Sequence, residues 1–146
     1  LQAAKSALFL GGWLSFHGQC GKGGWGRTRL AEVLPVECLT YEDLCENTEG
    51  FQLQATQETH PLLADIDVAT APPILGYNIT RPRPGSQVLA KWSGTDDPAV
   101  VVAQYGNGRI AAYTSDPAPH WGCNLVYWDQ YQRFWLNVVN WLCRAA

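Results

Sequence analysis

Ala7-Leu8-Phe9-Leu10-Gly11-Gly12 is a short apolar run halted abruptly by two glycines. A continuous run of this length suits a central β-strand covered on both faces, because a half-exposed strand would alternate apolar with polar. The run is too short and its flanks are wrong for a secretory leader, since no small-x-small cleavage pattern follows it. Upstream, residues 1–5 read as the last turn of a helix, with Lys5 favourable near its negative end. Downstream, seven glycines fall between Gly11 and Gly26. That density predicts a long, mobile loop, and loops that follow buried strands in α/β proteins often carry the chemistry.

Beyond the loop, Thr28 is placed to cap a short helix that Pro35 stops, and Val36 to Leu39 reads as a strand. Tyr41 to Thr59 is polar and acidic, as expected of an exposed excursion. His60-Pro61-Leu62-Leu63 starts a helical turn with proline near its first position, and His60 is assigned a structural role. Strands are predicted over Gly76 to Thr80 and Gln87 to Trp92, joined through Arg81-Pro82-Arg83-Pro84-Gly85. Val100 to Tyr105 and Arg109 to Tyr113 flank Gly106-Asn107-Gly108, residues that tolerate the positive φ of a tight turn, so this stretch is a β-hairpin. Trp128 to Cys143 closes the chain as an amphipathic helix, with Trp128, Tyr131, Trp135, Val138, Val139 and Leu142 on its apolar face. Strand, glycine loop, strand pairs and closing helix make an α/β layer fold in a single domain over residues 1–146.

Composition narrows the function. The 146 residues carry a net charge of −3 with 47% hydrophobic and 16% charged residues, a globular balance. No Lys/Arg run offers the basic face that nucleic acid requires, and no polybasic anchor or apolar segment of spanning length offers membrane insertion. Five cysteines, Cys20, Cys38, Cys45, Cys123 and Cys143, are widely spaced and form no C-x-x-C pair. This spacing argues against a disulfide framework or a structural zinc site and for a reducing, cytoplasmic setting. Most of the seven tryptophans are expected in the core or at its edge.

Three further stretches are more specific together than singly. They are Leu8 to Phe16, then Pro73-Ile74-Leu75-Gly76-Tyr77-Asn78, then Thr114-Ser115-Asp116-Pro117-Ala118-Pro119-His120-Trp121-Gly122. With Glu32 to Cys38 between them, they resemble the bacterial family described as Putative glutamine amidotransferase, of the class I glutamine amidotransferase-like superfamily. The resemblance runs from about Ser6 to Leu142. It implies an α/β, flavodoxin-like layered sheet with flanking helices, and the expectation that N-terminal strands of that fold are missing from a chain beginning at Leu1. In working members of the superfamily a strand ends in a sharp turn that presents a cysteine, a later histidine acts as base, and an acidic residue orients it. The matching turn here falls at Gly11 or Gly12, and neither has a side chain that can attack an amide.

The candidate chemistry follows from that gap. Cys20 is the nearest replacement nucleophile, but it lies about ten residues past the strand and lacks the strand-to-helix elbow. His120 stands where the superfamily's histidine is expected, and Asp116 is the candidate to receive its ring N–H; the plainer reading is that Asp116 caps the proline turn and His120 packs beside Trp121. His17 near Ser15 and Cys20 is a further grouping, and His17, Asp116 and His120 identify no metal ligand set. The glycine loop matches no phosphate-binding pattern, and no cofactor is assigned. Three readings result. The first is an amidotransferase-like domain without glutaminase activity that binds a small ligand through Gly11, Gly12, Trp13, Ser15, Tyr77, Asp116, His120 and Trp121. The second is a cysteine-dependent amide hydrolase or amidotransferase using Cys20 with His120. The third is an interaction module of a larger protein. Self-association as a homo-oligomer stays open.

Overall fold

The computed structural model describes residues 6–56 and 59–143. The predicted helical turn over residues 1–5 lies outside that range. Nine strands are seen among the described residues: β1 (Ser6–Leu10), β2 (Val36–Cys38), β3 (Leu44–Phe51), β4 (Leu53–Ala55), β5 (Ile74–Asn78), β6 (Thr80–Pro82), β7 (Gln87–Trp92), β8 (Pro98–Tyr105) and β9 (Gly108–Tyr113). One α-helix, α1 (Tyr131–Cys143), and several 3-10 turns complete the architecture. The main sheet has the order β1-β9-β8-β7-β4, and the pairs β2-β6 and β3-β5 are separate ribbons. The fold is mixed α/β, with a central mixed sheet and few flanking helices.

The hairpin β8–β9 is the spine of this sheet. Gly106 takes φ 58° at its turn, and the register pairs Val101 with Ala112 and Val102 with Ala111. Successive residues face opposite layers. Val100, Val102, Ala111 and Tyr113 enter the larger core beneath α1, while Val101 and Ala112 enter a smaller one with Phe16, Leu34 and Val36. Both faces are covered, which is why the strand reads as unbroken valine.

β1 runs parallel to β9, pairing Leu8 with Ala111, as the strand that leads into the glycine turn should. It is not central, however. It lies at the edge of the described sheet and all five of its residues are half-buried. On α1, Phe134 and Val138 are the fully buried positions, whereas Val139 is 48% exposed. The apolar stripe is rotated from the predicted one because Phe134 meets Tyr113 and Trp128, and Trp128 itself precedes the helix. Arg109 fixes the far end of α1 by donating from Nη1 to the Trp141 carbonyl at 2.7 Å, a cation placed where the helix dipole is negative.

Tyr41 to Thr59 is not a plain excursion, since it contains β3 and β4. β3 pairs with β5 from Leu44–Asn78 to Glu46–Gly76, then a bulge intervenes before Phe51 meets Ile74. Thr28 and His60 act as read. The Thr28 hydroxyl accepts from Leu30 N–H at the start of a 3-10 turn, and His60 Nδ1 accepts from Leu62 N–H at the start of another.

Candidate ligand-binding site

The glycine stretch is folded rather than loose. Phe16, with φ 53°, buries its ring completely, and Trp25 N–H bonds back to its carbonyl at 2.8 Å. Two buried polar side chains hold the segment from beneath. Asp43 accepts from the backbone N–H of His17 at 3.0 Å and of Gly18 at 2.9 Å. Asn78 accepts from Gly12 N–H at 2.8 Å. Burial pushes the Asp43 carboxyl upward, and the two backbone donors only partly offset that cost. An expected mobile loop therefore becomes a pinned shelf, because its backbone donors find acceptors on Asp43, just before β3, and on Asn78 of β5.

At the β1 turn, Gly11 packs directly on the end of β9. A Cβ on Gly11 would stand 2.4 Å from the Thr114 carbonyl oxygen and 2.7 Å from Ser115 N, so no side chain fits. Gly12 has more room but adopts φ 143°, a conformation that L side chains rarely take. Ser15 Oγ and the Asp116 carboxylate are the nearest side-chain groups to a Cβ there, at 3.7 and 4.0 Å.

Beside this turn lies a cleft of about 320 Å³. It is lined by Trp13, Glu46, Asn47, Thr48, Leu75, His120 and Trp121. Trp13 and His120 meet ring to ring, centroids 4.4 Å apart and tilted by 58°. Glu46 Oε1 accepts from Trp121 Nε1 at 2.7 Å and from Trp13 Nε1 at 3.0 Å. Those two indole bonds, Trp121 first, hold the Glu46 carboxyl below its ordinary value. Gly76 makes this possible, since a Cβ there would come within 2.7 Å of Trp121 Nε1.

The remaining sequence-derived positions separate. Asp116 accepts from Gly122 N–H at 2.9 Å and so caps the proline turn; among the described residues no hydrogen bond joins it to the His120 ring. Burial raises its carboxyl. Tyr77 is 1% exposed and donates to Asp97 at 2.7 Å, which puts it in the core and away from the cleft. Cys20 is exposed at φ 54°, its N–H donating to Glu42, and it does not line the cleft with His120. His17 lines a separate recess with Arg27 and Cys38. All five cysteines are free thiols, and the described residues contain no group of three or more His, Cys, Asp or Glu that would hold a metal ion. Glu46, Asp43 and Asn78 were not foreseen from sequence as site residues, although Asn78 ends one of the motif stretches.

The model of the family described as Putative glutamine amidotransferase matches residues 1–144. The chain belongs to that family. Among solved structures it is similar to cytoplasmic protein STM3548 from Salmonella typhimurium, with TM-score 0.90 and 33% identity over 98% of this chain and 57% of that one. It is also similar to cytoplasmic protein STM1381 from Salmonella typhimurium LT2, with TM-score 0.88 and 36% identity over 95% of this chain and 56% of that one. The chain thus spans a little over half the length of these two relatives. A β-galactosidase from Rahnella sp. R3 shares the fold alone, with TM-score 0.52 and 16% identity over 90% of this chain and 19% of that one. No curated protein matches the sequence significantly. The β1 turn holds two glycines, of which Gly11 is packed against backbone.

Proposed function

We propose that this member of the amidotransferase family has no glutaminase activity and binds a small ligand in the cleft between the β1 turn and the Asp116–Trp121 turn. The observation that carries this reading is the contact of Gly11 with Thr114, which leaves no volume for an attacking side chain at position 11, while position 12 is itself glycine. Two of the turn's backbone donors are already engaged. Gly12 N–H is taken by Asn78, and Gly11 N–H is shared between the carbonyls of Tyr113 at 2.8 Å and Ser115 at 3.0 Å. An amidotransferase stabilises its tetrahedral intermediate with N–H groups aimed at empty space, and at these two positions they are spent on the fold. The cleft itself supports binding: aromatic walls with a few convergent polar groups are the usual composition of a small-molecule site.

A cytoplasmic setting is supported by the free thiols and by the names of the two Salmonella relatives. The test has two arms. Ammonia release from glutamine by the purified protein should stay at background, and a thermal-shift screen of small metabolites should find ligands whose effect is lost in Trp13→Ala. Glutamine turnover abolished by Cys20→Ala would reverse the first arm, and a blank screen would remove the second.

A further inference from the structure

Glu46 is held in an unusual way. One oxygen, Oε1, receives both indole N–H groups, from chain positions 33 and 75 residues away. Two rigid donors converging on one atom fix the carboxylate in place. Its other oxygen, Oε2, accepts nothing from the described residues. No cationic nitrogen stands at ion-pair distance either, since the ion pair among the described residues is Lys91–Asp96, elsewhere in the fold. The result is a positioned, exposed carboxylate without an ion-pair partner among the described residues, in a cleft otherwise lined by indole, imidazole and leucine together with Asn47 and Thr48.

We propose that the cleft recognises a small organic cation, an ammonium carried on a compact apolar body, with the ammonium against Glu46 Oε2 and the body against Trp13 and Leu75. The inference rests on the ligand-binding reading above and gives it a chemical class. Three classes of ligand compete for such a site. An anion is repelled by the fixed carboxylate. A neutral polyol donates hydroxyls to Oε2 but brings no charge to pair with the carboxylate, and neutral donors make the weaker bonds. A cation neutralises the carboxylate through a charge-assisted bond and gains further from the electron-rich face of Trp13, which is 45% exposed.

The test uses NMR on the purified protein at about pH 8, above the range in which imidazoles usually carry charge. The reporters are the indole N–H resonances of Trp13 and Trp121. The probes are phenethylammonium, its neutral analogue phenethyl alcohol, the anion 3-phenylpropionate, and methyl glucoside. Phenethylammonium should shift both resonances and the other three should not. Glu46→Gln keeps an acceptor oxygen for the indoles but loses the charge, so it should weaken phenethylammonium about tenfold, the size of one charge-assisted hydrogen bond. Equal binding of the alcohol or the glucoside, or unchanged affinity in Glu46→Gln, overturns the cation inference while leaving a ligand cleft intact. If no probe moves either indole, the cation inference also fails. The broader ligand reading then falls only if the metabolite screen is blank as well.

Discussion

Gly11 and Thr114 are in backbone contact across β1 and β9, so close that a Cβ at position 11 would overlap the Thr114 carbonyl at 2.4 Å. Installing the nucleophile that the fold family leads one to expect therefore damages the fold. Gly11→Cys should lower stability by about 1–3 kcal/mol or more, because neither partner is a flexible side chain that can move aside. Urea denaturation midpoints measure the loss, and ammonia release from glutamine by the folded fraction should remain at background. A Gly11→Cys variant as stable as the parent would contradict the contact.

Gly76 and Trp121 repeat the same logic at the cleft. A Cβ on Gly76 would lie 2.7 Å from Trp121 Nε1 and 2.9 Å from the Cys45 carbonyl, and the indole is completely buried. Gly76→Ala should displace the ring from Glu46 at a cost of about 1–3 kcal/mol. The Trp121 indole N–H resonance should move upfield as its bond to the carboxylate lengthens. Retention of both the resonance and the denaturation midpoint would show that the strand accommodates the methyl group.

Much of the frame can be read from residue order, and the reasons for the rest are particular. The hairpin of Val100 to Tyr113 is legible because each face of β8 meets its own apolar layer, leaving a run without polar interruption. β3 is not, because Glu46, Asn47, Thr48 and Glu49 are all exposed and a bulge breaks the alternation that marks a strand. Trp13, His120 and Trp121 are named by their motifs. Glu46 is not, since its role comes from two indoles that only the tertiary fold brings to one oxygen. Tyr77 belongs to the same motif set as Trp121, yet its hydroxyl finds Asp97 inside the protein, and that bond holds it in the core.

The cysteines should differ in reactivity according to their surroundings. Cys20 and Cys143 are exposed. Burial, with a contribution from the nearby Asp43 charge, pushes the Cys38 thiol from 9.0 up to about 11. The thiolate is the reactive form, so two units correspond to about a hundredfold less of it at a given pH. A disulfide reagent at mildly alkaline pH should therefore label Cys20 and Cys143 first and Cys38 far more slowly. Mass mapping of the modified peptides reads the order. Cys20→Ser should remove a fast site and change stability by less than about 0.5 kcal/mol, as expected for a surface thiol.

Glu46 gives the cleft a pH signature whose sign can be worked out. Its folded-state pKa lies below the ordinary 4.5 because the Trp121 and Trp13 indoles favour the ionised form. An acid of lowered pKa contributes stability above its unfolded value and loses it as pH falls through the folded one. Asp43 and Asp116 are shifted the other way by burial, so their contribution favours the folded state on the acid side and fades as pH rises. Whole-protein acid titration therefore mixes opposing terms. The comparison of wild type with Glu46→Gln isolates the cleft, because the two aspartates are common to both. The stability difference between them should be flat above about pH 6 and should shrink as pH drops below 4.5, measured as urea midpoints across that range. A difference that stays constant down to the lowest pH at which both proteins fold would mean that the indoles bind the neutral acid as well as the carboxylate.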